Sequence, residues 1–242
     1  MARLIALVLA LWTATALANG PLRLAVGSEF APTAEKLAQR FSQQGGGAVT
    51  ISSGSTGQLA TQIANGSPID LLITSDEWRL KQLTDNGHLL ADSKVVIAGD
   101  SLMLWSRDYP SITLERLGEL PRIAIAEPTL SAYGAASQQV LAKLKLWGKL
   151  GNRLSRVDSA QLVFLHVEKG SAPGGLVPRA LLVQGGFLAE AKPVPAAWHA
   201  QLNQQAAIVT AGQRQRAQAF IRFALKEGRS TIAEAGFTPP SP

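Results

Sequence analysis

Hydroxyl side chains and glycines collect at four places where an apolar run gives way to a helical pattern: AVGSEF (25–30), ISSGSTG (51–57), IAEPTLSAYG (125–134) and RVDSAQ (156–161). Serine and threonine are ordinary N-caps, because the side-chain oxygen can satisfy a first-turn N–H. The same place suits an anion, since those N–H groups have no acceptor within the helix and the helix dipole is positive there. Any one junction reads as a cap. Four together, with glycines that let the backbone approach a ligand, point to a shared pocket made of donors. Nucleophilic chemistry at Ser53 or Ser55 would need more than this loop offers. GSTG is not the G-x-S-x-G elbow, and no histidine is placed as a base. His88, His166 and His199 are scattered without metal-ligand spacing, and the absence of cysteine rules out disulfides and Cys-based zinc sites.

The elements that must carry these junctions alternate between strand and helix. Short apolar runs at 22–26, 48–52, 69–74, 94–98, 102–106, 122–126 and 206–210 read as strands. Between them, Phe30, Ala34, Leu37, Ala38 and Phe41 fall on one helical face, and Leu59 and Ile63 mark a helix that Asn65-Gly66 ends. A polar helix carries Trp78 and Leu83, and further helices are expected from about Gly134 to Trp147, around 160–168 and from about Gln213 to Glu227. GGLVP (174–178) is a short apolar run between them. Alternation of this kind predicts an α/β fold of largely parallel sheets covered by helices, with any ligand at the carboxyl ends of the strands. With 46% hydrophobic and 17% charged residues, the 242-residue chain can bury a sizeable core in one large domain or two small lobes.

Residues 1–18, MARLIALVLALWTATALA, combine an early arginine, an apolar run and an Ala-Leu-Ala cleavage signal, and so read as a secretory signal peptide. The apolar run is shorter than the roughly 20 residues of a spanning helix. The net charge of +6, which loses only Arg3 with the leader, favours anions, but no basic run interleaved with aromatics suggests nucleic acid.

The stretches LRLAVGSEFAPTAEKLAQRF, ISSGSTGQLATQIANGSPIDLLITSDE, GDSLMLWS, IAIAEPTLSAYGAASQQVL and AEAGFTPP resemble, in order and spacing, the periplasmic molybdate-binding proteins of ABC importers. The resemblance runs through nearly the whole mature chain. It implies two α/β lobes with mixed, mostly parallel sheets, joined by a two-crossover hinge in the manner of type II periplasmic binding proteins, closing on one tetrahedral oxyanion. Lobe 1 would comprise residues 19–92 and 206–242, lobe 2 residues 95–193, with crossovers near 92–95 and 194–206. The ligand implied is molybdate or tungstate, with no cofactor and no catalysis. The partner implied is a membrane permease, with the protein a periplasmic monomer. Carried over by position, Ser28 and Thr56 would offer hydroxyls, with Ser55 in reserve, and Tyr133 and Ala160 backbone N–H groups. A tyrosine found late in the second lobe of some members is replaced by Pro178, so the Tyr133 hydroxyl could serve instead. Glu29 departs from the pattern: a carboxylate facing a dianion is unfavourable, so its side chain is expected to point outward while its N–H faces the ligand. Otherwise the ligand is a protonated oxyanion needing an acceptor. The other readings the sequence leaves open are a sulfate- or phosphate-like ligand, or a sensing module that has kept the fold.

Overall fold

The computed structural model describes residues 20–241, so the signal peptide lies outside the described residues. From the N-terminus the chain forms β1 (Leu22–Gly27), α1 (Ala31–Phe41), β2 (Val49–Gly54), α2 (Thr56–Ala64), β3 (Leu71–Thr74), α3 (Glu77–Asp85) and β4 (Val95–Asp100). It continues through β5 (Leu102–Trp105), β6 (Ile123–Ala126), α4 (Ala132–Lys143), β7 (Leu154–Val157), α5 (Ala160–Glu168), β8 (Gly175–Pro178), α6 (Arg179–Gly185) and β9 (Lys192–Pro193). It ends with β10 (Leu202–Ile208), α7 (Arg214–Leu225) and α8 (Arg229–Glu234).

Two five-stranded mixed sheets result, in the orders β2-β1-β3-β10-β4 and β7-β6-β8-β5-β9. In each, three neighbouring strands are parallel and the rest antiparallel. Strands covered on both faces must be apolar on both. Leu22, Leu24 and Val26 of β1 join Phe30, Leu37, Phe41 and Phe220 in one core layer, while Ala25 and Leu72 meet Leu59, Ile63 and Leu80 in the layer behind. The second sheet repeats the scheme. Leu102, Leu104, Ile123 and Ile125 pack on Val140 and Leu141, and Met103, Trp105, Ala124 and Ala126 face Val163 and Phe164. Phe41 meets Phe220 and Phe223 edge-on at 5.3 and 5.5 Å, which seats α7 on the first sheet. Asp70, fully buried, accepts from the N–H groups of Arg23 (2.8 Å) and Gln213 (3.0 Å) and so ties the start of α7 to β1 and β3.

Two boundaries differ from the sequence reading. The run 95–100, assigned there to the second lobe, is β4, an edge strand of the first sheet; the crossover is Ser101, between β4 and β5. The returning strand begins at Leu202 rather than near Ala206. An apolar pentapeptide says that a strand exists, not which sheet it joins, and in β10 three polar residues follow Leu202. Gln204 is fully buried and Gln205 nearly so, at a register shift in the pairing with β4. Such an irregularity re-aims side chains.

Gly134, in the first turn of α4, lets that helix end lie against the end of β6: a Cβ there would come within 2.5 Å of the Ala126 carbonyl oxygen. Gly134→Ala should destabilise the fold by about 1–3 kcal/mol, since backbone must shift to admit the methyl. Urea unfolding with an unchanged m-value is the check; wild-type stability would contradict the close approach.

Candidate functional site

The carboxyl ends of β1 and β2 and the start of α2 meet the β6–α4 junction of the other sheet. The Gly57 N–H donates to the Leu130 carbonyl at 3.2 Å, and the Arg79 guanidinium donates to the Thr129 carbonyl. A side chain at residue 57 would collide with Leu130, so glycine permits this approach.

Around this contact the caps fall into two groups. Asp76 caps α3 by accepting from the Arg79 N–H at 3.0 Å, and Ser159 caps α5 by accepting from the Leu162 N–H at 3.3 Å. Ser55 and Ser131 are the N-cap residues of α2 and α4, yet neither side chain makes a cap hydrogen bond. The Ser28 and Ser55 hydroxyls are buried and, among the described residues, have no hydrogen-bond partner. Thr56 differs from its neighbour: its Oγ1 lies 2.7 Å from Thr74 Oγ1, so this hydroxyl is already paired. Of the two adjacent hydroxyls, the one with no partner among the described residues is on Ser55, the reserve donor of the sequence analysis, while either Thr56 or Thr74 can donate in their bond.

Tyr133 and Ala160 stand in the first turns of α4 and α5, where N–H groups have no acceptor within the helix. The Tyr133 hydroxyl, however, is committed: it donates to Asp100 Oδ2 at 2.6 Å. The expectation that it stands in for the missing tyrosine is therefore corrected. Pro178 ends β8 with its side chain buried, directly before α6.

Glu29 is also corrected. Its side chain does not point outward: the residue is 4% exposed. Its Oε1 accepts from Gln204 Nε2 at 3.1 Å and from Ser75 Oγ at 3.4 Å. The carboxylate folds back over Gly27, where a Cβ would lie 2.7 Å from Oε1. An amide donor on β10 and space above a glycine turn it inward, and neither was legible from the neighbouring residues. Gln204 Nε2 also reaches Tyr133 Oη at 3.4 Å. Asp100 Oδ1 accepts from the N–H groups of Ser101 (2.8 Å) and Ala180 (3.2 Å). Burial pushes the Asp100 carboxyl up to about 7, with the Glu29 charge adding to it, and burial likewise raises Glu29. Burial and the two carboxylates raise the Tyr133 phenol well above its ordinary value. Asp100, Gln204, Thr74 and Arg79 were not anticipated. Only Asp100 left a trace in sequence, as an acid between two apolar strands.

The arrangement is thus a donor-rich junction between two sheets, backed by a buried polar cluster. A family profile of bacterial extracellular solute-binding proteins matches residues 22–238. The chain is 28% identical to the molybdate-binding protein ModA of Rhodobacter capsulatus over 90% of this chain and 88% of that one. It is 30% identical to ModA of Azotobacter vinelandii over 87% and 86% of the respective chains. The solved periplasmic molybdate-binding protein of Azotobacter vinelandii superposes with a TM-score of 0.82 at 30% identity, covering 91% of this chain and 100% of that chain. Two sheets carrying a junction of helix N-termini and unpaired hydroxyls, together with a profile match over almost the whole described chain, identify it as a member of the bacterial extracellular solute-binding proteins.

Proposed function

We propose that the protein binds a tetrahedral oxyanion, molybdate or tungstate, in the periplasm and delivers it to the membrane permease of an ABC importer. The observation that carries this reading is the pair of buried, unpaired hydroxyls on Ser28 and Ser55 beside the N-terminus of α4. Leaving a buried donor unpaired costs about 1–3 kcal/mol, a cost that a ligand oxygen removes. Molybdate and tungstate carry no proton at neutral pH, so they want donors from every side and no acceptor. In this reading Ser28 and Ser55 give hydroxyls, and the first-turn backbone at Thr56, Tyr133 and Ala160 gives N–H groups. The Thr56 hydroxyl holds Thr74 instead. Glu29 is engaged with Gln204 and Ser75, which favours a ligand without a proton over a phosphate-like one. Donors from both sheets make closure of the lobes part of binding. The site needs no cofactor and performs no reaction, and the protein acts as a monomer exported by its leader. The relatives named for molybdate support this ligand.

Thermal unfolding with molybdate, tungstate, sulfate, phosphate and chromate tests the reading. At a thousandfold excess over Kd, molybdate and tungstate should each add about 4 kcal/mol of stability. A larger shift with phosphate or sulfate would reassign the ligand, and no shift with any anion would end the proposal.

The two adjacent hydroxyls should separate in mutants. Ser55→Ala and Ser28→Ala should each weaken molybdate binding tenfold or more, since a hydrogen bond to a charged group contributes about 1.5–3 kcal/mol. Thr56→Val should instead lower stability by about 1–2 kcal/mol, because Thr74 loses its partner, and leave affinity within about threefold. Calorimetry and urea unfolding read the two effects; the reverse pattern would return the ligand contact to the Thr56 hydroxyl.

A further inference from the structure

Behind the donor junction, Glu29 and Asp100 sit at the ends of one continuous line of hydrogen bonds: Glu29 to Gln204, Gln204 to Tyr133, Tyr133 to Asp100. The line crosses the hinge. Glu29 follows β1, Gln204 lies on β10, Asp100 ends β4, and Tyr133 belongs to α4 on the other sheet. Around Glu29 the facing groups are Ser75 and Asp76 from the β3–α3 turn, Gln204, Tyr133 and Asp100. Asp76 is held by Arg79, with Nε 3.2 Å away. Around Asp100 they are Tyr133, the N–H groups of Ser101 and Ala180, and Glu29. Arg179, next to Ala180, directs its guanidinium to the Gly236 carbonyl. Among the described residues neither Glu29 nor Asp100 has a cationic partner.

A buried carboxyl and a half-buried one beside it, without a cation, do not both stay ionised at neutral pH, because desolvation and mutual repulsion each favour a proton. Gln204 Oε1 is buried and has no hydrogen-bond partner among the described residues. We propose that Glu29 and Asp100, both carried by the first sheet, hold one proton between them, and that the protein takes this proton up as the lobes close on the anion. The inference rests on the oxyanion reading. With the lobes apart, water reaches the cluster and both carboxyls ionise in the ordinary range. On closure the pair is sealed in, and a dianion arriving nearby adds a third negative charge that works in the same direction.

The sign follows from linkage. Groups whose pKa is raised in the closed form favour that form at lower pH, and the gain is lost as pH rises through the closed-form value, about 7 for Asp100. Wild-type affinity for molybdate should therefore fall about tenfold from pH 6 to pH 8 and level off above. Calorimetry at pH 6.5 in PIPES and in imidazole, whose ionisation enthalpies differ, should report roughly 0.5–1 proton taken up per anion. The double variant Glu29→Gln/Asp100→Asn should reduce the pH dependence to less than about twofold, because it removes both carboxyls, whereas each single variant keeps part of the slope, since burial is the largest cause of both shifts. Tight binding by wild type with no slope and no proton uptake would overturn the proton coupling and leave the oxyanion reading intact. A slope that persists in the double variant would place the proton elsewhere and also overturn it. No binding of molybdate or tungstate at any pH would overturn both.

Discussion

The 2.6 Å hydrogen bond from Tyr133 to Asp100 joins the two sheets at the place where their relative position matters most. Tyr133 is in the first turn of α4, so whatever fixes its side chain also fixes the N–H groups at that helix end. Asp100 is the last residue of the strand that leaves the first sheet, and the same carboxyl holds the start of α6 through the Ala180 N–H. One half-buried residue on the hinge therefore orients two helix N-termini of the second sheet. Gly134 lets α4 sit close enough to β6 for this to be possible, and Gln204 connects the bond to Glu29 on the other side. Buried networks of this kind are rigid when each group has a partner and costly when one does not.

That rigidity suits a site made of neutral donors. A cation attracts an anion from any direction, whereas hydroxyls and N–H groups contribute only when they are aimed. Parallel strands feeding helices aim them, since each strand ends where a helix N-terminus begins. The ends of β1 and β2 bring Ser28 and Ser55 together on the first sheet, and β6 and β7 bring the starts of α4 and α5 together on the second. The Gly57–Leu130 and Arg79–Thr129 hydrogen bonds then bring the two halves into register.

Much of this was legible in sequence. The alternating periodicity located most strands and helices, and the junctions AVGSEF, ISSGSTG, IAEPTLSAYG and RVDSAQ do stand where a strand gives way to a helix. What could not be read was long-range pairing. Val95–Asp100 has the same composition whichever sheet it joins, and its place in the first sheet depends on β10, more than 100 residues later. Gln204 looked like a linker residue because a fully buried glutamine on a strand is rare; its burial is justified only by Glu29 and Tyr133, which are distant in sequence. The inward turn of Glu29 has the same origin. A helix-dipole argument uses neighbours along the chain, and the partner that decided the matter was 175 positions away.

The adjacent pair Ser55 and Thr56 carries the last step. Both are buried hydroxyls at the start of α2, and local sequence does not separate them. Thr56 is the first residue within the helix, where a β-branched side chain has few rotamers, and Thr74 at the end of β3 stands in reach of its Oγ1. Thr74 Oγ1 also accepts from the Asp76 N–H at 3.1 Å, so the pair extends into the turn that supports α3 and Arg79. Thr56 is thus held by the strand that precedes α3 and holds it in return. Ser55, in extended backbone just before the helix and without a cap bond, keeps an unpaired oxygen. One hydroxyl is paired within the wall, and the next has no partner among the described residues.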